Sequence, residues 1–355
     1  MFPFLFQPNL KTIVWGGHRL QPYLQLPSTP DPIGESWSVS AVAGSESVIA
    51  NGEYAGQKLT DVITAHPAEV LGEAVVRKYG PQLPLLMKLI DAERDLSIQV
   101  HPGDDMARRL HGKMGKSEMW YVIDAKPGSY LYAGFSQQIT PYEYQKRVED
   151  GSICQVLARH EVHPGDVFYL PAGRIHAICG GILLAEVQQS SDVTYRIFDY
   201  NRPGIDGRPR ELHTELAAQA LNYEVLDDYK THYEQRDNAA NKVLSTPYFS
   251  VRVTELKQGE TLHRNLLKYD SFIITTCIEG CCRLRSRVNG SEVSLTPGRS
   301  TLIPASIADF DVIPESSSSG TSGQASSIRL LDAYIDNKDT SLSAMVTRFL
   351  HISNQ

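Results

Sequence analysis

Long apolar runs are missing from this sequence. No window approaches the roughly 18 consecutive apolar residues that a membrane-spanning helix needs, so no membrane partner is expected. The first residues, MFPFLFQPNLK, have no basic n-region, and Pro3 and Pro8 interrupt them. A secretory signal peptide is therefore not expected. Cysteine is scarce and unpatterned: Cys154, Cys179, Cys277, Cys281 and Cys282 are an odd set with no C-x-x-C pair. That usage reads as reduced thiols and predicts a cytoplasmic protein. Basic charge is also in short supply. The net charge is −7, with no basic stripe, which argues against nucleic acid and anionic membranes as partners. An anionic substrate would need a local cluster of Arg and Lys. There is no P-loop and no G-x-S-x-G, so neither nucleotide-phosphate nor nucleophile-elbow chemistry has a foothold.

What is present is the composition of a globular protein, 41% hydrophobic and 21% charged over 355 residues. That length accommodates two domains. Strand-like pieces dominate, with short helices expected at 66–78, 104–110, 140–150 and 211–221. Thr140 followed by Pro141 is a helix-start signature. The polar stretch 227–241 reads as a linker, and the low-complexity stretch 316–327 (SSSSGTSGQASS) as a flexible surface loop.

The most informative stretch is Pro164-Gly165-Asp166-Val167-Phe168-Tyr169-Leu170-Pro171-Ala172-Gly173-Arg174-Ile175-His176. It reads as turn, apolar strand, second turn and a histidine opening the next strand. The fixed offsets of Gly165, Pro171, Gly173 and His176 resemble the second signature motif of the cupin superfamily, whose histidine is a metal ligand in a small β-barrel. A plain strand-turn-strand with a surface histidine is the competing reading. The motif has an echo 133 residues later, where Pro297-Gly298 precedes Ile303-Pro304-Ala305 and Asp309 stands at the position of His176. Two copies of one fold are expected, with a metal in the first only.

Leu96-Ser97-Ile98-Gln99-Val100-His101 alternates as a strand does, which puts Ser97, Gln99 and His101 on one face. Three polar residues on one face suit either a barrel lining or a solvated sheet surface. Glu118 enters the aromatic strand Met119-Trp120-Tyr121 as an acid, and a buried carboxylate needs a partner. A divalent metal would supply one. Gln99, His101, Glu118 and His176 then form a nitrogen/oxygen ligand set that suits zinc, with iron(II) and manganese as alternatives.

Together, SIQVHP, GKSEMWYV, YLPAGRIHAI and TYRIFDYNR, with Trp15-Gly16-Gly17 and Ile33-Gly34-Glu35-Ser36-Trp37, resemble the type I mannose-6-phosphate isomerase family, particularly its shorter bacterial members. The resemblance covers about residues 8–205, and the remainder follows as a degenerate second cupin domain. It implies a mainly β protein of two cupin (jelly-roll β-barrel) domains with a few short helices. Residues 1–235 would form the catalytic domain with helical insertions and 236–355 a domain without metal. It implies one Zn2+ per chain on Gln99, His101, Glu118 and His176, with Gln99 the least secure ligand. It implies interconversion of mannose 6-phosphate and fructose 6-phosphate through an enediol, with a sugar phosphate as the small-molecule partner of a monomer or homodimer.

Arg196 matches the family's catalytic arginine, and Arg202 stands where longer members carry a lysine. Glu186, Lys116 and Glu35 are the candidates for acid/base work. Arg202, Ser97 and Lys88 are candidates for meeting the phosphate, and Trp15 of the WGG element is grouped with the substrate-binding residues. His111, His160, His163, His213 and His263 lack ligand spacing and read as ordinary surface or capping histidines. An iron(II) cupin oxygenase and a non-catalytic sugar-phosphate-binding bicupin are the alternatives.

Overall fold

A computed structural model of the chain describes residues 1–316 and 327–337. Most of the low-complexity loop expected at 316–327 therefore lies outside the described residues. The chain packs as two compact units. One comprises Gln7–Ser47 and Pro84–His232; the other comprises Met1–Phe6, Val48–Leu83 and the described chain from Tyr233 onward. The helical segment near residue 70, expected in the N-terminal domain, thus packs with the C-terminal strands.

Each unit contains two antiparallel sheets. In the first unit the larger sheet runs Leu10–Gly17, Ile33–Val39, Leu85–Ala92, Ile182–Gln189, Glu118–Ala125, Val167–Leu170. The smaller runs Tyr195–Phe198, Ile98–Val100, His176–Ile178, Tyr130–Phe135, Leu157–Glu161. The second unit repeats this order. Ser250–Lys257, Ser327–Tyr334, Ile273–Glu279 and Ser300–Ile303 neighbour one another as Leu85–Ala92, Ile182–Gln189, Glu118–Ala125 and Val167–Leu170 do. The sequence echo is therefore a topological repeat. His176 pairs with Gln99, and Asp309, opening the corresponding strand, pairs with Asn265.

Ile182–Gln189 is central in its sheet and buried at every position, which explains a nearly continuous apolar run broken only by residues with a use. The Thr140 cap is realised as a full capping box with Glu143. The helix expected at 66–78 is instead two, Pro67–Leu71 and Glu73–Tyr79. Gly72 breaks it at φ +95°, where a Cβ would stand 2.2 Å from the Asp270 carbonyl oxygen. The Asp270 carboxylate then accepts from Glu73 N and Ala74 N at the start of the second helix. The stretch read as a linker is also partly structured. Tyr229 is buried, and its hydroxyl donates to Phe135 O at 2.9 Å. No helix among the described residues is long and apolar enough to cross a membrane.

Candidate metal centre and active site

The two sheets of the first unit present polar side chains to a common interior. Directly paired residues on neighbouring strands point to the same face. In the larger sheet Lys88 pairs with Glu186, Glu186 with Trp120, and Gln188 with Glu118. Glu35 pairs with Ile90 on the same ladder. In the smaller sheet Gln99 lies between His176 and Arg196. The turn before His176 depends on Gly173, at φ +89°, whose N–H donates to His101 O at 2.9 Å. That bond ties the two histidine-bearing segments together. The glycines of the first two strands are also explained by contact. A Cβ on Gly16 would stand 2.4 Å from Gly34 N, and one on Gly34 would stand 2.8 Å from the Trp15 ring.

His101, Glu118 and His176 are all buried, and one ligand atom from each lies within 4.8 Å of the others. His101 Nε2 is 3.3 Å from Glu118 Oε2, and His176 Nε2 is 3.2 Å from Glu118 Oε1. The far nitrogens decide the tautomers. His101 Nδ1 lies 3.1 Å from Val193 O and His176 Nδ1 lies 2.8 Å from Arg174 O. A carbonyl only accepts, so each Nδ1 carries the hydrogen and each Nε2 presents a lone pair. Burial, and secondarily the Lys116 charge, pushes His101 down to about 3. Burial likewise lowers His176. Both rings are therefore neutral at ordinary pH. Burial pushes the Glu118 carboxyl upward, but opposing charge, Lys116 foremost, holds it well below its usual range.

Two imidazole lone pairs and a carboxylate thus converge with no hydrogen between them. Neither Glu118 oxygen accepts a hydrogen bond, although Lys116 Nζ stands 3.1 Å from Oε2 and 3.0 Å from His101 Nε2. A buried, electron-rich set of this kind, met here by Lys116 and the Gln99 amide, fits a divalent cation, and the carbonyls on Nδ1 are the orienting partners such ligands use. Gln99 approaches His176 through its amide nitrogen, Nε2 to Nε2 at 3.3 Å.

Beside this cluster lies a cavity of about 300 Å³, at the lower end of the range for small-molecule sites. Glu35, Lys88, Ser97, Gln99, Lys116, Glu186, Arg196 and Trp15 all contribute to its wall. The structure thus brings together most of the expected site residues. Buried Lys88 Nζ bridges Glu186 Oε1 at 3.2 Å and Glu35 Oε2 at 3.9 Å. Glu186 also accepts from Trp120 Nε1 at 2.9 Å. Burial, then the Glu118 charge, raises the Glu186 carboxyl above its usual range, with Lys88 and Lys116 opposing.

Arg202 is the exception. It is paired to Asp199 at 2.8 Å and is not among the residues lining the cavity. Four polar lining residues had been given no site role from sequence: Asp192, Thr194, Arg210 and His213, the last read as an ordinary histidine. His213 holds the N-cap position of a helix, Thr214–Ala220, without a side-chain capping bond, and it lines the cavity as well. The sequence signal for these residues was the polar character of the segments on either side of the strand Tyr195–Phe198.

The model of the phosphomannose isomerase type I catalytic domain matches residues 4–127, and that of the mannose-6-phosphate isomerase cupin domain matches residues 240–316. GmuF, a probable mannose-6-phosphate isomerase of Bacillus subtilis, is 34% identical over 316 residues, which cover 87% of this chain and 96% of the relative. ManA, a mannose-6-phosphate isomerase of the same organism, is 34% identical over 313 residues, 87% of this chain and 95% of the relative. The crystal structure of the mannose 6-phosphate isomerase from Bacillus subtilis superimposes with a TM-score of 0.81 at 31% identity, covering 94% of this chain and 99% of the other.

Proposed function

Since the chain belongs to the type I phosphomannose isomerase family, we propose that it interconverts mannose 6-phosphate and fructose 6-phosphate using one zinc ion held by His101, Glu118 and His176. The observation that carries this reading is the buried Glu118 carboxylate, neither of whose oxygens accepts a hydrogen bond, facing two imidazole lone pairs beside the cavity. Gln99 stands at the edge of that set with its amide nitrogen toward His176, and would join as a ligand only through its amide oxygen, after a flip of the side-chain amide. The zinc, when bound, supplies Lewis-acid stabilisation of negative charge developing on substrate oxygen.

The remaining roles fall to the chain's own side chains. Aldose–ketose isomerisation moves a proton between C1 and C2 through an enediol, which needs a base, a proton carrier and nearby positive charge. Glu186 is our choice of base, with Glu35 as the second carboxylate; their shared contact with Lys88 keeps both oriented. Lys116 lines the cavity and is placed to donate a proton to a substrate oxygen. Arg196, in register with Gln99, supplies fixed positive charge. Ser97 and Trp15 shape the wall. We read both units as cupin jelly rolls, on the strength of their shared strand order. All of the assigned chemistry falls in the first unit, and the second serves as a metal-free scaffold.

The test is product identification. Incubation with mannose 6-phosphate should yield fructose 6-phosphate, without oxygen uptake. Oxygen consumption would point to the oxygenase alternative. Saturable binding of the sugar phosphate without conversion by the zinc-loaded protein would leave only a binding role.

A further inference from the structure

One wall of the cavity carries more positive charge than the isomerase roles above use. It is built from the strand Tyr195–Phe198 and the loop that follows it. Arg196, Arg210 and His213 line the cavity there. Two guanidinium groups, those of Arg202 and Arg210, share one buried carboxylate, Asp199. Arg210 donates to it twice, Nε to Oδ2 at 2.7 Å and Nη2 to Oδ1 at 2.6 Å. Arg202 donates from Nε and Nη2 to Oδ1 at 3.1 and 2.8 Å. Arg196 gives Nη1 to Glu211 O at 2.8 Å, while its buried Nε has no acceptor. The bonds to Asp199 use two of Arg210's five N–H groups and leave three unassigned. A carboxylate that fixes a guanidinium edge-on leaves the rest of the fork pre-set for a second oxyanion. On the sheet that carries Glu35 and Glu186, by contrast, the carboxylates are already matched to Lys88.

We propose that Arg210 is the residue that reads the phosphate group of the sugar phosphate, with Arg196 beside it and Asp199 as the positioning residue that holds the fork. The proposal rests on the isomerase reading and deepens it. It moves the phosphate contact from Arg202, where the sequence suggested it, to an arginine eight residues further along the chain. Arg202, bonded to the same carboxylate but outside the cavity wall, leaves the cluster around Asp199 with a net positive charge.

The experiment compares wild type with R210M, R210K, R202M and R208M. Arg208 lies exposed in the same loop and controls for loss of one positive charge. Steady-state kinetics are read as KM against kcat with mannose 6-phosphate, and calorimetry measures binding of inorganic phosphate to the zinc-loaded protein. R210M is expected to raise KM about 10–100-fold, the range for losing hydrogen bonds to a charged group. It should weaken phosphate binding by a similar factor and change kcat less. R210K should recover part of the loss, and R208M should match wild type. A D199N variant should raise KM while retaining kcat. KM and phosphate affinity in R210M equal to those of R208M would overturn the proposal, as would a larger KM effect in R202M than in R210M. If wild type does not convert mannose 6-phosphate, the isomerase reading fails, and the phosphate titration alone decides: undiminished affinity in R210M rejects the site and a selective loss upholds it.

Discussion

Lys88 Nζ lies 3.2 Å from Glu186 Oε1, with both side chains buried and the two residues directly paired across adjacent strands. With Glu186 proposed as the base, the pair bears on the pH dependence of turnover. Burial and the Glu118 charge raise the Glu186 carboxyl, and Lys88 is among the charges pulling it back. A base whose pKa is raised becomes protonated earlier as pH falls. The acid limb of kcat/KM is therefore expected above the ordinary carboxylate range. Replacing Lys88 with Met removes one restraining charge, so the limb should move to still higher pH. A pH–rate profile of K88M that overlays the wild-type acid limb would show that Glu186 is not the group being titrated.

The ligand set makes a separate prediction about composition. H101A, H176A and E118Q each delete a converging donor. Metal content after dialysis should fall from one ion per chain to a small fraction. The loss in affinity should be at least the roughly 10–100-fold that removal of an outer orienting partner causes. Elemental analysis checks this, and undiminished zinc in all three variants would remove the centre from these residues.

Arg196 is expected to act on the transition state and not on the metal. R196A should keep its zinc while kcat drops by about 10²–10³, the cost of removing one group that stabilises developing negative charge. Kinetics and metal analysis on the same preparation separate the two effects. Wild-type turnover in R196A would end its assignment.

The second unit offers a stability test of what replaced the catalytic interior. Asp332 pairs with Thr275 as Glu186 pairs with Trp120, so it occupies the corresponding place. There it is neutralised internally, accepting from Arg264 Nη1 at 2.6 Å and Thr275 Oγ1 at 2.7 Å, all buried. R264M leaves that carboxylate without its partner and should cost about 3–5 kcal/mol. The double variant R264M/D332N should recover part of the loss. Denaturant titration reads both, and a single-variant loss near zero would mean that the pair is not what holds this interior together.

Much of the site was legible because its residues sit on regular strands. Alternation put Ser97, Gln99 and His101 on one face, and the cost of an unpaired carboxylate flagged Glu118 before any partner was visible. The turn at Gly173 and its echo at Pro297–Ala305 gave the repeated fold, because turns constrain sequence through backbone dihedrals. What escaped was decided by contacts distant in sequence. The helix at 66–78 carries a continuous helical pattern, yet Gly72 is pressed against Asp270, nearly 200 residues away. Tyr229 lies in a polar stretch, but its ring covers Gly134, where a Cβ would stand 2.1 Å from it. Arg210 and His213 follow an irregular loop with no period to report which way a side chain points. Arg202 matched a family position, and only the Asp199 pairing shows that another arginine takes the cavity wall.

The most direct measurement is isomerase activity and zinc content followed together, in the protein as isolated, after chelation, and after zinc is restored. The account predicts that conversion of mannose 6-phosphate falls in proportion to zinc lost and returns at one zinc per chain, and that H176A regains neither. Full activity in chelated, zinc-free protein would contradict it.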